Sequence, residues 1–244
     1  MIDLEAELAR AVQHFWTVRA FQHDKQGSGG GTKDTGNRGA VTGGKHADGF
    51  VRLIAKIVED AGLPIANIHI VQRKKRTIPG YFRPTKDWDV VILSDNDLIA
   101  VIEVKSQVGS FGNNFNNRIE EALGNATDFW TAYKHGIYAP TSKPWVGYLF
   151  MLEEKASSIH PKKRIELHPF QVDEAFQGLS YAQRYEQVCL RLVREMLYDA
   201  ACFLTSNLSD GRSGYFSQPN PELSIQNFAV SLQAKVSAYA KLKP

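Results

Sequence analysis

Apolar residues recur at threes and fours from the start of the chain: Leu4, Leu8, Val12, Phe15 and Val18. That spacing predicts a helix over residues 3–22, with Asp3 able to cap it. A second helix is predicted over residues 46–61, with Phe50, Leu53, Ile54 and Ile57 on one face and Gly62 and Pro64 ending it. Residues 65–71 read as a strand, and Pro79-Gly80 as a turn. Two apolar strands joined by the polar run Ser94-Asp95-Asn96-Asp97 then predict a hairpin over residues 88–105.

A long helix starts within Asn113 to Asn117, with Ile119, Ala122, Leu123, Ala126, Phe129, Trp130 and Tyr133 as its apolar stripe. Residues 145–152 have the length and composition of a buried strand, and a right-handed crossover would set it parallel to the second hairpin strand. From residue 155 the pattern is mostly helical. A capping box at Ser180–Gln183 opens a predicted helix running to about Thr205, with Tyr185, Val188, Leu192, Met196 and Phe203 inward. A polar loop over residues 206–221 and a last helix over 222–241 complete the reading. The class is α/β: a mixed central sheet flanked by helices, with a helical C-terminal extension.

Composition narrows this picture little. The 244 residues are enough for one core; 43% hydrophobic and 23% charged residues are ordinary for a globular chain. No apolar run reaches the ~20 residues of a membrane helix, and no secretory signal is evident, so a cytoplasmic location is expected. Cys189 and Cys202 read as free buried thiols 13 residues apart in one helical pattern. The net charge of +3 is too small to coat nucleic acid, so any polyanion contact must be local.

The chemistry concentrates in the hairpin. Glu103 and Lys105 are two residues apart on a strand and share a face, and folding at the turn brings Asp89 beside them. Charges among aliphatic neighbours must pair or bind something. Two carboxylates beside an ammonium suit a hard divalent cation such as Mg²⁺. A solvent-facing hairpin with an incidental Glu–Lys pair is the bland alternative. Asp48, at the start of the second helix, is either an extra acid of this site or a residue stabilised by the helix dipole.

Asp89 followed by Glu103-Val104-Lys105 resembles the D…(D/E)-x-K signature of restriction-endonuclease-like nucleases, with Trp88 where proline usually precedes the aspartate. The run from Glu103 through Gly109-Ser110-Phe111-Gly112-Asn113-Asn114-Phe115-Asn116-Asn117-Arg118 to Glu121 is similar to the XhoI group of Type II restriction enzymes, and the resemblance extends over most of the chain. It implies a nuclease core over residues 1–154 with the rest as an extension of the same single domain. It implies a homodimer in a bacterial restriction–modification system, cutting the palindrome CTCGAG to leave 5′ overhangs. Asp89, Glu103 and the Val104 carbonyl would hold Mg²⁺, and Lys105 would serve the attacking water. A structure-directed or repair nuclease and a non-catalytic DNA-binding relative remain as alternatives.

Candidate DNA contacts follow from chemistry and position. Arg73, Lys74, Lys75, Arg76 and Arg83, with Lys86, form the densest basic stretch, although most charge runs are merely solvated. Asn113, Asn114, Asn116, Asn117 and Arg118 have side chains that suit base edges. Gln107 shares the face of Lys105 and reaches either a phosphate or a strand-end hydrogen bond. Residues 27–44, with eight glycines, read as a mobile loop whose Lys33 and Arg38 could meet phosphates. The seven histidines show no zinc spacing, and the glycine-rich run lacks a nucleotide-binding P-loop pattern, so neither zinc nor a nucleotide cofactor is expected.

Overall fold

The computed structural model describes residues 2–27, 45–64, 67–69, 76–139 and 142–242. Most of the 27–44 loop, with Lys33 and Arg38, and the basic residues Arg73, Lys74 and Lys75 lie outside them.

Helix α1 (Leu4–Gly27) and helix α2 (Asp48–Asp60) follow the apolar spacing of the sequence. Among the described residues, five strands then build one sheet: β1 (Ile68–His69), β4 (Val90–Ser94), β5 (Asp97–Gln107), β6 (Trp145–Glu153) and β7 (Ala200–Ser206), in that spatial order. Strands β2 (Thr77–Pro79) and β3 (Thr85–Asp87) form a separate antiparallel pair. The β4–β5 hairpin is antiparallel, and Asp95 at its turn takes a left-handed φ of 53°, which aspartate tolerates. Helix α3 (Phe111–Lys134) carries the chain back, so β5 and β6 are parallel as expected for a crossover.

Helices cover both faces of the sheet. On one, α1, α2 and the last helix, which runs from Ile225 to Leu242, enclose Val90, Ile92, Ala100, Ile102 and Val104. On the other, α3 and the helix over Tyr181–Arg194 enclose Val91, Val101, Phe150 and Phe203. Alternation along each strand feeds both cores.

The C-terminal third departs from its sequence reading. The helix opened by the Ser180–Gln183 capping box ends at Arg194, not near Thr205. Met196 takes a left-handed φ of 57° and is 80% exposed rather than inward. The N–H groups of Leu197 and Tyr198 then donate to the Leu192 carbonyl, closing the helix. Residues 200–206 become β7, parallel to β6. Cys189 and Cys202 are both buried and free, but one lies on the helix and the other on the strand.

Candidate active site

The register of the β4–β5 hairpin builds the site. Val90 pairs with Ile102, so one step further sets Asp89 opposite Glu103. Up to Ile102 the strand is apolar on both faces. Glu103 then turns a carboxylate toward α3 at 2% exposure. Its Oε1 lies 2.5 Å from Lys105 Nζ and its Oε2 lies 2.9 Å from Lys86 Nζ. Asn125 of α3 donates to Oε1 over 3.5 Å. Asp89 accepts the Val104 backbone N–H at Oδ2 over 2.8 Å, which ties it to β5 just outside the ladder. Arg76 donates to the carbonyls of Trp88 and Asp89, bracing the approach to β4.

Burial and charge divide the two acids. Burial raises the Asp89 carboxyl to about 6, and the Glu103 charge adds to the rise against the opposing pull of Lys105, the Val104 amide and Lys86. Burial also penalises ionised Glu103, but the flanking Lys105 and Lys86 ammoniums outweigh it and hold its pKa below the ordinary value. Lys105 is the converse. Burial disfavours its ammonium, yet Glu103 and Asp89 together raise its pKa. The centre therefore holds one committed carboxylate, one committed ammonium and one carboxyl poised near neutrality.

Asp89, Glu103 and Lys105, predicted from spacing, are brought together. The remaining candidates disperse. Asp48 is exposed in the first turn of α2, which packs on the opposite face of the sheet from the Glu103 carboxylate. Gln107 is buried and donates to the Gly109 carbonyl, the strand-end bond, while its Oε1 has no partner among the described residues. Arg83 binds Asp128 and Asn125 through separate nitrogens, both at 2.9 Å. Asn113, Asn116 and Asn117 are exposed at the start of α3, whereas Asn114 and Arg118 are half-buried and Arg118 pairs with Glu121. None of the asparagines caps the helix; Ser110 holds the cap position without a side-chain bond.

Three residues escaped the sequence reading. Lys86 was grouped with the basic stretch, yet it is a partner of Glu103. Its ammonium also lies 4.6 Å from the centre of the Trp88 ring and donates to the Asp87 carbonyl. Asn125 and Asp128 interrupt the apolar stripe of α3, and a polar residue on a buried stripe signals a partner. Asp128 accepts the N–H groups of Tyr81 and Phe82 at 2.9 and 2.7 Å and pairs with Arg83. It fastens the tip of the β2–β3 hairpin to α3.

No cluster of three or more His, Cys, Asp or Glu suited to a metal occurs among the described residues. The donor set at Asp89 and Glu103 nevertheless fits a hard divalent cation. Both are carboxylates, and their mutual charge is part of what raises Asp89. A cation between them would relieve that repulsion and take its other ligands from backbone and water.

A family model described as restriction endonuclease XhoI matches residues 25–218, spanning the whole β4–β5 hairpin. The Type II restriction enzyme BstVI of Geobacillus stearothermophilus is 44% identical over 225 residues, 90% of this chain and 98% of that protein. The Type II restriction enzyme XhoI of Xanthomonas vasicola is 43% identical over 190 residues, 76% of this chain and 74% of that protein. AbrI of Azospirillum brasilense is 44% identical over 159 residues, covering 65% and 70%. No solved structure matches. With a carboxylate–lysine centre on the hairpin and near-end-to-end similarity to such enzymes, the chain belongs to the XhoI restriction endonuclease family.

Proposed function

We propose that this restriction endonuclease, a site-specific deoxyribonuclease, is a Mg²⁺-dependent homodimer that cuts both strands of the palindrome CTCGAG and leaves 5′ overhangs in the bacterial cytoplasm. All 244 residues act as one domain in this reading. The observation that carries it is the convergence of Asp89, Glu103 and Lys105, with Lys105 Nζ 2.5 Å from Glu103 Oε1. Kinship with named Type II restriction enzymes supports discrete-site cutting. The palindrome and the dimer rest on resemblance to that group.

Asp89, Glu103 and the Val104 carbonyl would hold the ion. When bound, Mg²⁺ supplies charge neutralisation and a more acidic water. Lys105, fixed by Glu103 on the shared strand face, orients the attacking water and donates to the phosphate oxygen that gains charge. The exposed Asn113, Asn116 and Asn117, one to two turns before Glu121 on α3, are the amides best placed to reach base edges. Digestion of plasmid DNA with Mg²⁺, followed by sequencing of the ends, tests the reading. Fragments ending at CTCGAG with 5′ overhangs are expected. Cleavage without a discrete sequence would point to a structure-directed nuclease, and none at all to a non-catalytic DNA binder.

A further inference from the structure

Lys86 is a second lysine of this centre, and it lies outside the Asp…Glu-x-Lys pattern. Its side chain is 10% exposed and its ammonium is 2.9 Å from Glu103 Oε2. Its charge acts on Asp89 as well as on Glu103. A cation held by Asp89 and Glu103 would be drawn by the same two carboxylates. Lys86 comes from the separate β2–β3 hairpin, whereas Lys105 is built into β5 two residues from Glu103. Lys86 also has somewhere else to rest. The Asp87 carbonyl accepts from it at 3.1 Å, and the Trp88 ring lies beneath it at 4.6 Å. Giving up Glu103 would not leave the ammonium bare.

We propose that Lys86 is the resting counter-ion of the two acids, and that a divalent cation displaces it from Glu103 as the site loads. The proposal rests on the reading that Asp89 and Glu103 hold the metal. Two positive centres cannot share one carboxylate oxygen cheaply, so Lys86 sets the metal concentration at which the enzyme becomes competent. It is a positioning residue: it acts on the ion through Glu103 and touches no reacting atom.

The test is titration of the metal-free, full-length protein with Mn²⁺ alone, reading free ion by electron paramagnetic resonance. Lys86→Met keeps the stem over Trp88 and removes the charge. It should bind Mn²⁺ roughly tenfold more tightly or better, as expected when a competing like charge is removed. Lys86→Gln should do the same, and guards against a Met variant that folds poorly. Lys86→Arg retains the charge and should stay near the wild-type affinity. Met and Gln variants that bind no more tightly than wild type would overturn the exchange and leave Lys86 as a clamp on Glu103. An arginine variant as tight as the methionine one would overturn it too. Glu103→Gln separates the two readings, because it should lose the Mn²⁺ site. If it binds as wild type does, the metal assignment itself has failed and the exchange fails with it.

Discussion

Glu103 and Asp89 are both acids of one site, yet they predict different variants. Glu103 is buried between two ammoniums, so Glu103→Ala leaves the Lys105 ammonium without its paired carboxylate. Removing one partner of a buried pair costs about 3–5 kcal/mol, so this variant should lose stability together with activity. Asp89→Asn is the cleaner probe. Its folded pKa of about 6 lies above the unfolded 3.8. The stability linked to its proton is therefore complete below pH 3.8 and is lost as pH rises through about 6. The rise corresponds to ~3 kcal/mol against the metal-free fold at neutral pH. Asp89→Asn should cut single-turnover cleavage by at least ~10²-fold while stabilising the metal-free protein. Urea unfolding from pH 4 to 8 should show the variant's advantage growing as pH rises; an advantage flat with pH would contradict the elevated carboxyl. Lys105→Ala should lower kcat by at least ~10²-fold, and Lys105→Arg should not rescue it because a guanidinium does not give up its proton. Near-normal turnover of the arginine variant would reduce Lys105 to a fixed charge.

At the scale of elements, the β2–β3 hairpin carries Lys86 to Glu103, and Asp128 holds that hairpin to α3. Asp128→Ala removes the acceptor of two backbone N–H groups and of Arg83. It should cost about 2–3 kcal/mol in urea unfolding. It should also weaken the Lys86–Glu103 pair, seen as tighter Mn²⁺ binding with no change in the acids themselves. Gly80 belongs to the same clamp, since a Cβ there would sit 2.5 Å from Asp128 Oδ2. Strand β7 makes the second element-scale prediction. Leu204 is fully buried on it, in the core enclosed by α1, α2 and the last helix. Leu204→Ala should cost about 2–5 kcal/mol, the range for a core leucine. A loss under 1 kcal/mol would be incompatible with a strand buried between two layers of helices.

For the whole molecule, the proposed Asp89–Glu103–Lys105 centre would serve one phosphodiester at a time in each chain. Cutting both strands of a palindrome in one encounter calls for a second copy related by a two-fold axis. Sedimentation of the protein with cognate duplex should give twice the mass of the chain plus DNA, and a monomeric complex that still cuts both strands would refute the dimer. The net charge of +3 adds an expectation about salt. Affinity must come from a local face rather than from the whole surface, so charge-reversing substitutions far from α3 and the hairpins should leave the salt slope unchanged.

The hairpin and the meeting of its charged side chains were legible because a strand has a fixed period of two. Glu103 and Lys105 share a face whatever surrounds them, and a turn of known length sets Asp89 opposite. The helices α1, α2 and α3 were legible for the same reason, through the period of 3.6. The run Ala200–Ser206 was not, because a short stretch buried on both faces shows no alternation of apolar and polar positions. The helix before it ends at Arg194, and the left-handed residue just beyond is Met196 rather than the glycine that usually signals such a stop. Lys86 and Asn125 were invisible as site residues because their contacts with Glu103 span 17 and 22 positions. Pattern along the chain fixes which residues share a face of one element. Only the packing of hairpin against sheet and helix decides which charges meet.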